Sequence, residues 1–269
     1  MNAAADRRAR PRFADQALER LRDARFRPSG WTAFMRDSFA QAACGRAAAA
    51  RAVFEILGLA AVAGAATAVL AGAPWLAWTA ATAAMAVWHV GMLDPAPGGR
   101  VRGLGLANGI TLGRALAIPL LATPLGRLVV VCGLISDAAD GALARRRMRE
   151  TRFGRWADST TDAVFVPAAA VALAAQHQLA WWASLLVVGR YVTGTTIIAV
   201  SSFWSARVPD AALVDPWRWP AAATALGLLA ASAGAPDAVL LIVVGAAGSL
   251  AGLAGYSSLN SGVRAPGSA

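Results

Sequence analysis

The chain has 269 residues, 57% of them hydrophobic and 15% charged, with a mean hydropathy of +0.51. Soluble domains carry nearer a quarter charged residues, so this balance, with its apolar residues gathered in long runs, excludes an ordinary water-soluble fold and indicates an all-α, polytopic membrane protein. The net charge of +10 comes from Arg alone, with no Lys in the chain; these Arg residues lie between apolar runs rather than on one soluble face, which fits a positive-inside bias and anionic lipid headgroups and argues against nucleic acid.

Residues 1–50 read as a polar, basic cytosolic segment without a signal peptide, since no short apolar core precedes a cleavage site. Within it, Ala14 to Arg27 has helical potential, with Leu18 and Leu21 on one side and Arg20, Arg22 and Arg25 around them, as in a surface-lying helix. Eight apolar runs follow: Val53–Gly72, Trp75–Met92, Ile110–Ala122, Leu128–Ala144, Ala157–Ala175, Leu179–Trp204, Trp219–Ala233 and Val239–Leu259. Most approach the roughly 20 residues needed to cross the hydrocarbon. The third is short, and the fourth and fifth can span only if their acids face protein or water. Arg-bearing segments at the N-terminus, 94–107, 145–155 and 205–218 alternate with short connections near Gly72, Thr123, Gln176 and Gly234. That alternation places the Arg-rich loops and both termini in the cytosol.

Several features point nowhere catalytic. Cys44 and Cys132 lack metal-ligand spacing and imply no disulfide framework. His89 and His177 lie near span ends, as interfacial residues do. The tract GLGLANG at 103–109 resembles a phosphate loop only loosely, because no strand precedes it.

The informative segment is DAADGALARRRMRETRFGRWADSTTD, from Asp137 to Asp162. A charged side chain within a bilayer costs at least a few kcal/mol, and here there are four acids. On a helix, Asp137, Asp140, Gly141, Ala144 and Arg145 share one face; Asp158 and Asp162, at i and i+4, share a face of the next. Asp137 lies about 12 Å of helix rise from Arg145, so the site opens to the cytosol from within the membrane. Oxygen ligands without His or Cys select hard cations, Mg²⁺ first and Mn²⁺ second, one or two ions. Such ions relieve carboxylate repulsion and clamp phosphoryl oxygens. Gly141 and Ala144 leave room for a ligand, and Arg145 suits bidentate phosphate binding. The competing reading, interhelical ion pairs with neighbouring Arg residues, explains one Asp but not four at this spacing.

This run resembles the CDP-alcohol phosphotransferase (CDP-alcohol phosphatidyltransferase) motif, D-x-x-D-G-x-x-A-R, eight residues, then G-x-x-x-D-x-x-x-D. Its fixed positions are Asp137, Asp140, Gly141, Ala144, Arg145, Gly154, Asp158 and Asp162. Upstream, Asn108, Thr111 and Arg114 resemble the N-x-x-T-x-x-R element that opens the family's first core helix. The resemblance covers about residues 100–260. It implies a six-helix core; the first two apolar runs lie outside it as an extra transmembrane pair, so the chain is expected to divide as 1–50, 51–93 and 94–262. It also implies transfer of a phosphatidyl group from CDP-diacylglycerol to an alcohol hydroxyl, with release of CMP, in an integral protein of a bacterial cell membrane working as a homodimer.

By resemblance Asp137, Asp140 and Asp158 bind metal, with two Mg²⁺ ions expected. Asp162 takes the acceptor's proton and also touches metal, while Asn108, Thr111, Gly141, Ala144 and Arg145 line the nucleotide site. Arg152, Arg155 and the intramembrane Arg190 are candidates for a phosphate on the acceptor; Arg190 serves equally as a partner for one of the acids. Members using phosphorylated acceptors often carry a second basic residue two turns on, where this chain has Ile198. The phosphatidylserine-synthase run is absent, which disfavours serine. Glycerol 3-phosphate is the lead acceptor, with inositol phosphate or phosphatidylglycerol (a cardiolipin synthase) as alternatives. A cation-binding transporter would account for the acids, though not for the fixed small residues.

Overall fold

The computed structural model describes residues 13–93, 101, 103–146, 151–205 and 218–261. Among these the chain is helical throughout, without a strand. The helices are α1 (Phe13–Asp23), α2 (Pro28–Ala48), α3 (Ala50–Leu70), α4 (Leu76–His89), α5 (Leu106–Leu116), α6 (Gly126–Arg146), α7 (Arg152–Ala175), α8 (Trp181–Ser205), α9 (Arg218–Ser232) and α10 (Ala238–Ser261). Each of the eight apolar runs contains all or part of one helix from α3 to α10. By length and composition, α3 and residues 181–200 of α8 are long and apolar enough to cross a membrane. The apolar stretches of α5 with its following turn, α9 and α10 are shorter, so apolar length by itself supports two of the eight expected spans.

Two departures from the sequence reading have local causes. Residues 28–48, which read in sequence as part of a polar segment, form the 21-residue helix α2, which starts with Pro28 in its first turn. Proline suits that position because its missing N–H would have no intrahelical partner there. The short third run breaks in two: α5 ends at Leu116, and Ile118–Ala122 continues as a 3-10 turn with Pro119 near its start. Proline cannot donate the next helical bond and its ring crowds the preceding turn.

The helix expected over Ala14–Arg27 is present as α1 but stops at Asp23, since Arg25 and Phe26 take positive φ; Leu18 and Leu21 are buried and Arg20 points outward, paired with Asp37 of α2 at 3.2 Å. Cys44 and Cys132 are free.

Two hydrophobic clusters organise the chain. The first joins Val130 and Leu134 of α6, Phe165, Ala169 and Leu173 of α7, and Val187, Leu228 and Ile242 of the last three helices. The second joins Ala52 and Ile56 of α3, Ala83 and Ala86 of α4, Leu112 and Leu116 of α5, and Phe153 and Ala157 of α7. Helix α7 therefore runs through both, its first turns in one and its last turns in the other. Thr151 starts it in extended conformation (φ −93°, ψ 157°) and accepts a hydrogen bond from the Gly154 N–H at 2.9 Å, a side-chain cap that satisfies one of the helix's orphan donors. The site acids Asp158 and Asp162 sit where the two clusters meet.

Phe165 is 1% exposed within the first cluster. Phe165→Ala is expected to cost about 3–5 kcal/mol, the loss typical of a buried aromatic truncated to a cavity. Thermal unfolding in detergent measures it, and a drop of a degree or less would contradict the packing described.

Candidate active site

Three helices supply the site. α6 brings Asp137, α7 brings Asp158 and Asp162 one turn apart, and α5 brings Arg114. One oxygen from each of the three carboxylates lies within 4.8 Å of the others. The expectation that acids on successive helices would face one another holds for these three. Asp140, Gly141, Ala144 and Arg145 lie along α6, but their side chains fall outside the described residues.

At the centre is Arg114. Its side chain is 1% exposed, and its Nη1 donates to Asp137 Oδ1 at 2.5 Å while Nη2 donates to Asp158 Oδ1 and Asp162 Oδ1, both at 2.9 Å. The ion-pair reading is thus realised in part, with a different arginine from the neighbouring ones expected. It does not displace the metal reading. One guanidinium against three carboxylates leaves this group of four with two excess negative charges, and the acids remain between 32% and 46% exposed. Oxygens at such separations can share a hard cation, whose ligand distances run about 2.0–2.6 Å. The residues present fit a divalent metal.

In the sequence Arg114 stands out only as the last letter of the N-x-x-T-x-x-R element, which by itself gives it no role. The signal was there: it is the sole charged residue of the run Ile110–Ala122, and a lone Arg in apolar surroundings needs a partner for its charge.

Asn108 and Thr111 lie on α5 ahead of Arg114. Asn108 Nδ2 donates to the Leu104 carbonyl at 2.7 Å and reaches Thr151 Oγ1 at 3.5 Å; the Thr111 hydroxyl donates to the Ala107 carbonyl at 3.2 Å. Asn108 thereby ties the start of α5 to the cap of α7. Gly154 belongs to the same junction. A Cβ there would lie 2.6 Å from Asn108 Oδ1 and 3.2 Å from Thr151 Oγ1, so a larger residue would displace the Asn108 amide that bridges the two helices.

The basic candidates separate. Arg152 and Arg155 are exposed in the first turn of α7. Arg190 is half-buried on α8; its Nε donates to Ser249 Oγ of α10 at 2.6 Å, and its guanidinium lies 4.4 Å from the Tyr191 ring centre. Those partners are a hydroxyl and an aromatic ring, and the acid pairing considered for Arg190 is made instead by Arg114.

Residues 104–251, over half of the chain, match the family model described as CDP-alcohol phosphatidyltransferase. The chain belongs to this family. It is accordingly a phosphatidyltransferase, an enzyme of phospholipid synthesis. A relative from Mycobacterium tuberculosis (strain H37Rv), called a probable phosphatidylglycerophosphate synthase, is 28% identical over 162 residues, covering 55% of this chain and 77% of the relative. Two relatives called CDP-diacylglycerol–glycerol-3-phosphate 3-phosphatidyltransferase are 36% identical over shorter stretches. The one from Sodalis glossinidius matches over 81 residues, 30% of this chain and 43% of its own length. The one from Yersinia pestis (strain Pestoides F) matches over 92, 30% and 50%. No solved structure matches the transferase.

Arg114→Ala in the transferase is expected to lower stability by roughly 1–3 kcal/mol, less than for fully buried pairs because the acids keep part of their solvent. Added Mg²⁺ should recover part of that loss by supplying the missing positive charge. Unfolding curves with and without the ion measure both effects.

Proposed function

We propose that the chain transfers the phosphatidyl group of CDP-diacylglycerol to the hydroxyl of glycerol 3-phosphate, forming a phosphatidylglycerophosphate and releasing CMP. The observation that carries this reading is the convergence of Asp137, Asp158 and Asp162 from two helices inside the stretch that matches the family. The acceptor follows the names of the relatives, whose stated acceptor is glycerol 3-phosphate.

Asp137, Asp158 and Asp162, together with Asp140 of the same motif, are the residues that would hold divalent metal, with two Mg²⁺ as the full complement. When bound, such ions neutralise phosphoryl charge and polarise the phosphorus toward attack. The side chains of the protein supply orientation and proton transfer. Asp162 accepts the acceptor's hydroxyl proton, the new O–P bond forms on the β-phosphorus, and the bond to the bridging oxygen breaks so that CMP leaves with the electron pair. Asn108, Thr111, Gly141, Ala144 and Arg145 line the nucleotide side. Holding the reacting groups in line accounts for much of the rate in chemistry of this kind.

Arg190 receives the acceptor's phosphate, with Arg152 and Arg155 at the entrance. In support, Arg190 is held by Ser249 and Tyr191, neither of which cancels its charge.

The site works at the cytosolic face of a bacterial membrane, where a lipid donor and a water-soluble acceptor can meet. The outward faces of α3, α8 and α10 support the membrane setting, though not its sidedness: Phe54, Val62, Val69, Leu185, Leu240 and Leu250 are all exposed. So much exposed apolar surface is costly in water and at home in lipid. Family membership further implies a homodimer.

Purified protein is expected to release CMP from CDP-diacylglycerol only with a divalent cation and glycerol 3-phosphate. Release with phosphatidylglycerol or inositol phosphate in its place would reassign the acceptor. Cation binding without CMP release under any acceptor would overturn the enzyme reading in favour of a transporter. Asp162→Asn is expected to lower turnover by about a hundredfold or more, the scale of a lost general base, while sparing donor binding. Full activity in that variant would overturn the base assignment. Asp140→Ala is expected to abolish activity at every metal concentration.

A further inference from the structure

Residues 51–93 precede the stretch that matches the family, and three of their side chains reach the helices that carry the site. Glu55 of α3 accepts a hydrogen bond from the Leu104 N–H at 2.6 Å, at the entry to α5. Its carboxylate is steadied by Arg51 at 2.9 Å. Gly103 fits against it only because it lacks a side chain: its φ is +127°, and a Cβ would stand 2.6–2.7 Å from both carboxylate oxygens. At the other end of the same helix, Trp78 of α4 donates its indole N–H to the Ala115 carbonyl at 2.9 Å, directly after Arg114.

The third contact reaches α7. His89, at the end of α4, stacks on Trp156 with ring centres 3.8 Å apart and planes 19° from parallel. Trp156 lies two residues before Asp158. Behind these contacts, Ile56, Ala83, Ala86 and Val90 share one buried cluster with Leu112, Leu116, Phe153 and Ala157. The preceding helices thus grip α5 at both ends and α7 beside its first acid.

We propose that Glu55, Trp78 and His89 are positioning residues, which hold α5 against α7 so that Arg114 meets Asp137, Asp158 and Asp162. None touches the acids. They act through the backbone of α5 and the ring of Trp156. A buried guanidinium that must satisfy three carboxylates on two other helices leaves little tolerance for a shift of α5, and displacements near 1 Å can cost about a hundredfold in rate. Two hydrogen bonds and a ring stack fix what apolar packing alone leaves free to slide. The proposal rests on the acids forming the metal site of the reading above.

The test uses the full chain in detergent. Trp78→Phe keeps the aromatic body and deletes the donor; Glu55→Ala deletes the acceptor, and Glu55→Gln restores one oxygen. His89→Ala removes the stack, and His89→Phe keeps it. Mn²⁺ affinity, read by paramagnetic resonance, reports on the acid cluster without turnover. Trp78→Phe, Glu55→Ala and His89→Ala are each expected to weaken Mn²⁺ binding about fivefold and to lower kcat about tenfold, with the melting temperature little changed. Glu55→Gln and His89→Phe should return most of the loss. In a double-mutant cycle, Trp78→Phe should add little in the Arg114→Lys background, because both act on one contact.

Mn²⁺ affinities equal to those of the unsubstituted protein, binding by neither, or additive effects in the cycle would overturn the proposal. Should Trp78→Phe fail to fold, the Glu55→Ala and Glu55→Gln pair decides: equal behaviour of the two counts against positioning. An unsubstituted protein that binds Mn²⁺ but releases no CMP would defeat the functional reading and leave this one standing on the affinities.

Discussion

One buried guanidinium sets the geometry of the whole site. Arg114 is out of contact with solvent, yet it meets carboxylates from α6 and α7 at hydrogen-bonding distance. Removing a cation from water is expensive, and the cost is recovered only where geometry is good and the partners are several. Three acids meet that requirement at the two terminal nitrogens, though the buried Nε has no hydrogen-bond partner among the described residues, and on their own side three negative charges meet one positive. The imbalance is informative. A purely structural ion pair would be built near neutrality, whereas a site meant to take up a further cation needs its acidity left in place.

The helices around this contact show how apolar sequence and local chemistry divide the work. Burial assembles two clusters, and α7 passes through both. Polar groups then fix the details that burial leaves loose: Thr151 caps α7, Asn108 ties α5 to that cap, and Glu55 holds the chain as it enters α5. Glycine appears where two of these groups come close. At Gly154 and Gly103 the neighbouring oxygens already occupy the volume that a side chain would need.

Much of this was legible in the sequence, for identifiable reasons. Asp158 and Asp162 four residues apart can lie only on one face of a helix, and charged groups in apolar surroundings must converge on something. The apolar runs gave the helices from α3 to α10 because long unbroken stretches leave few alternatives. Three things were hidden. Arg114 meets Asp137 across 23 positions (137 − 114) and Asp158 across 44, and no local pattern encodes such a pairing. Pro119 was visible, but an apolar run read by length alone does not register where a proline ends the helix. Residues 28–48 lack a strong apolar periodicity, so their helix could not be separated from polar surroundings by pattern.

The cap on α7 carries one more consequence, which concerns phase. Because Thr151 fixes where the helix starts, the angular position of both acids is counted from that residue. A single residue inserted between the cap and Asp158 would turn the pair about 100° around the helix axis, swinging it out of reach of Arg114 without unwinding a turn. Substitutions along the outward side of the same stretch leave that count untouched. The first two turns of α7 thus tolerate changes of chemistry on their outer side far better than any change of length.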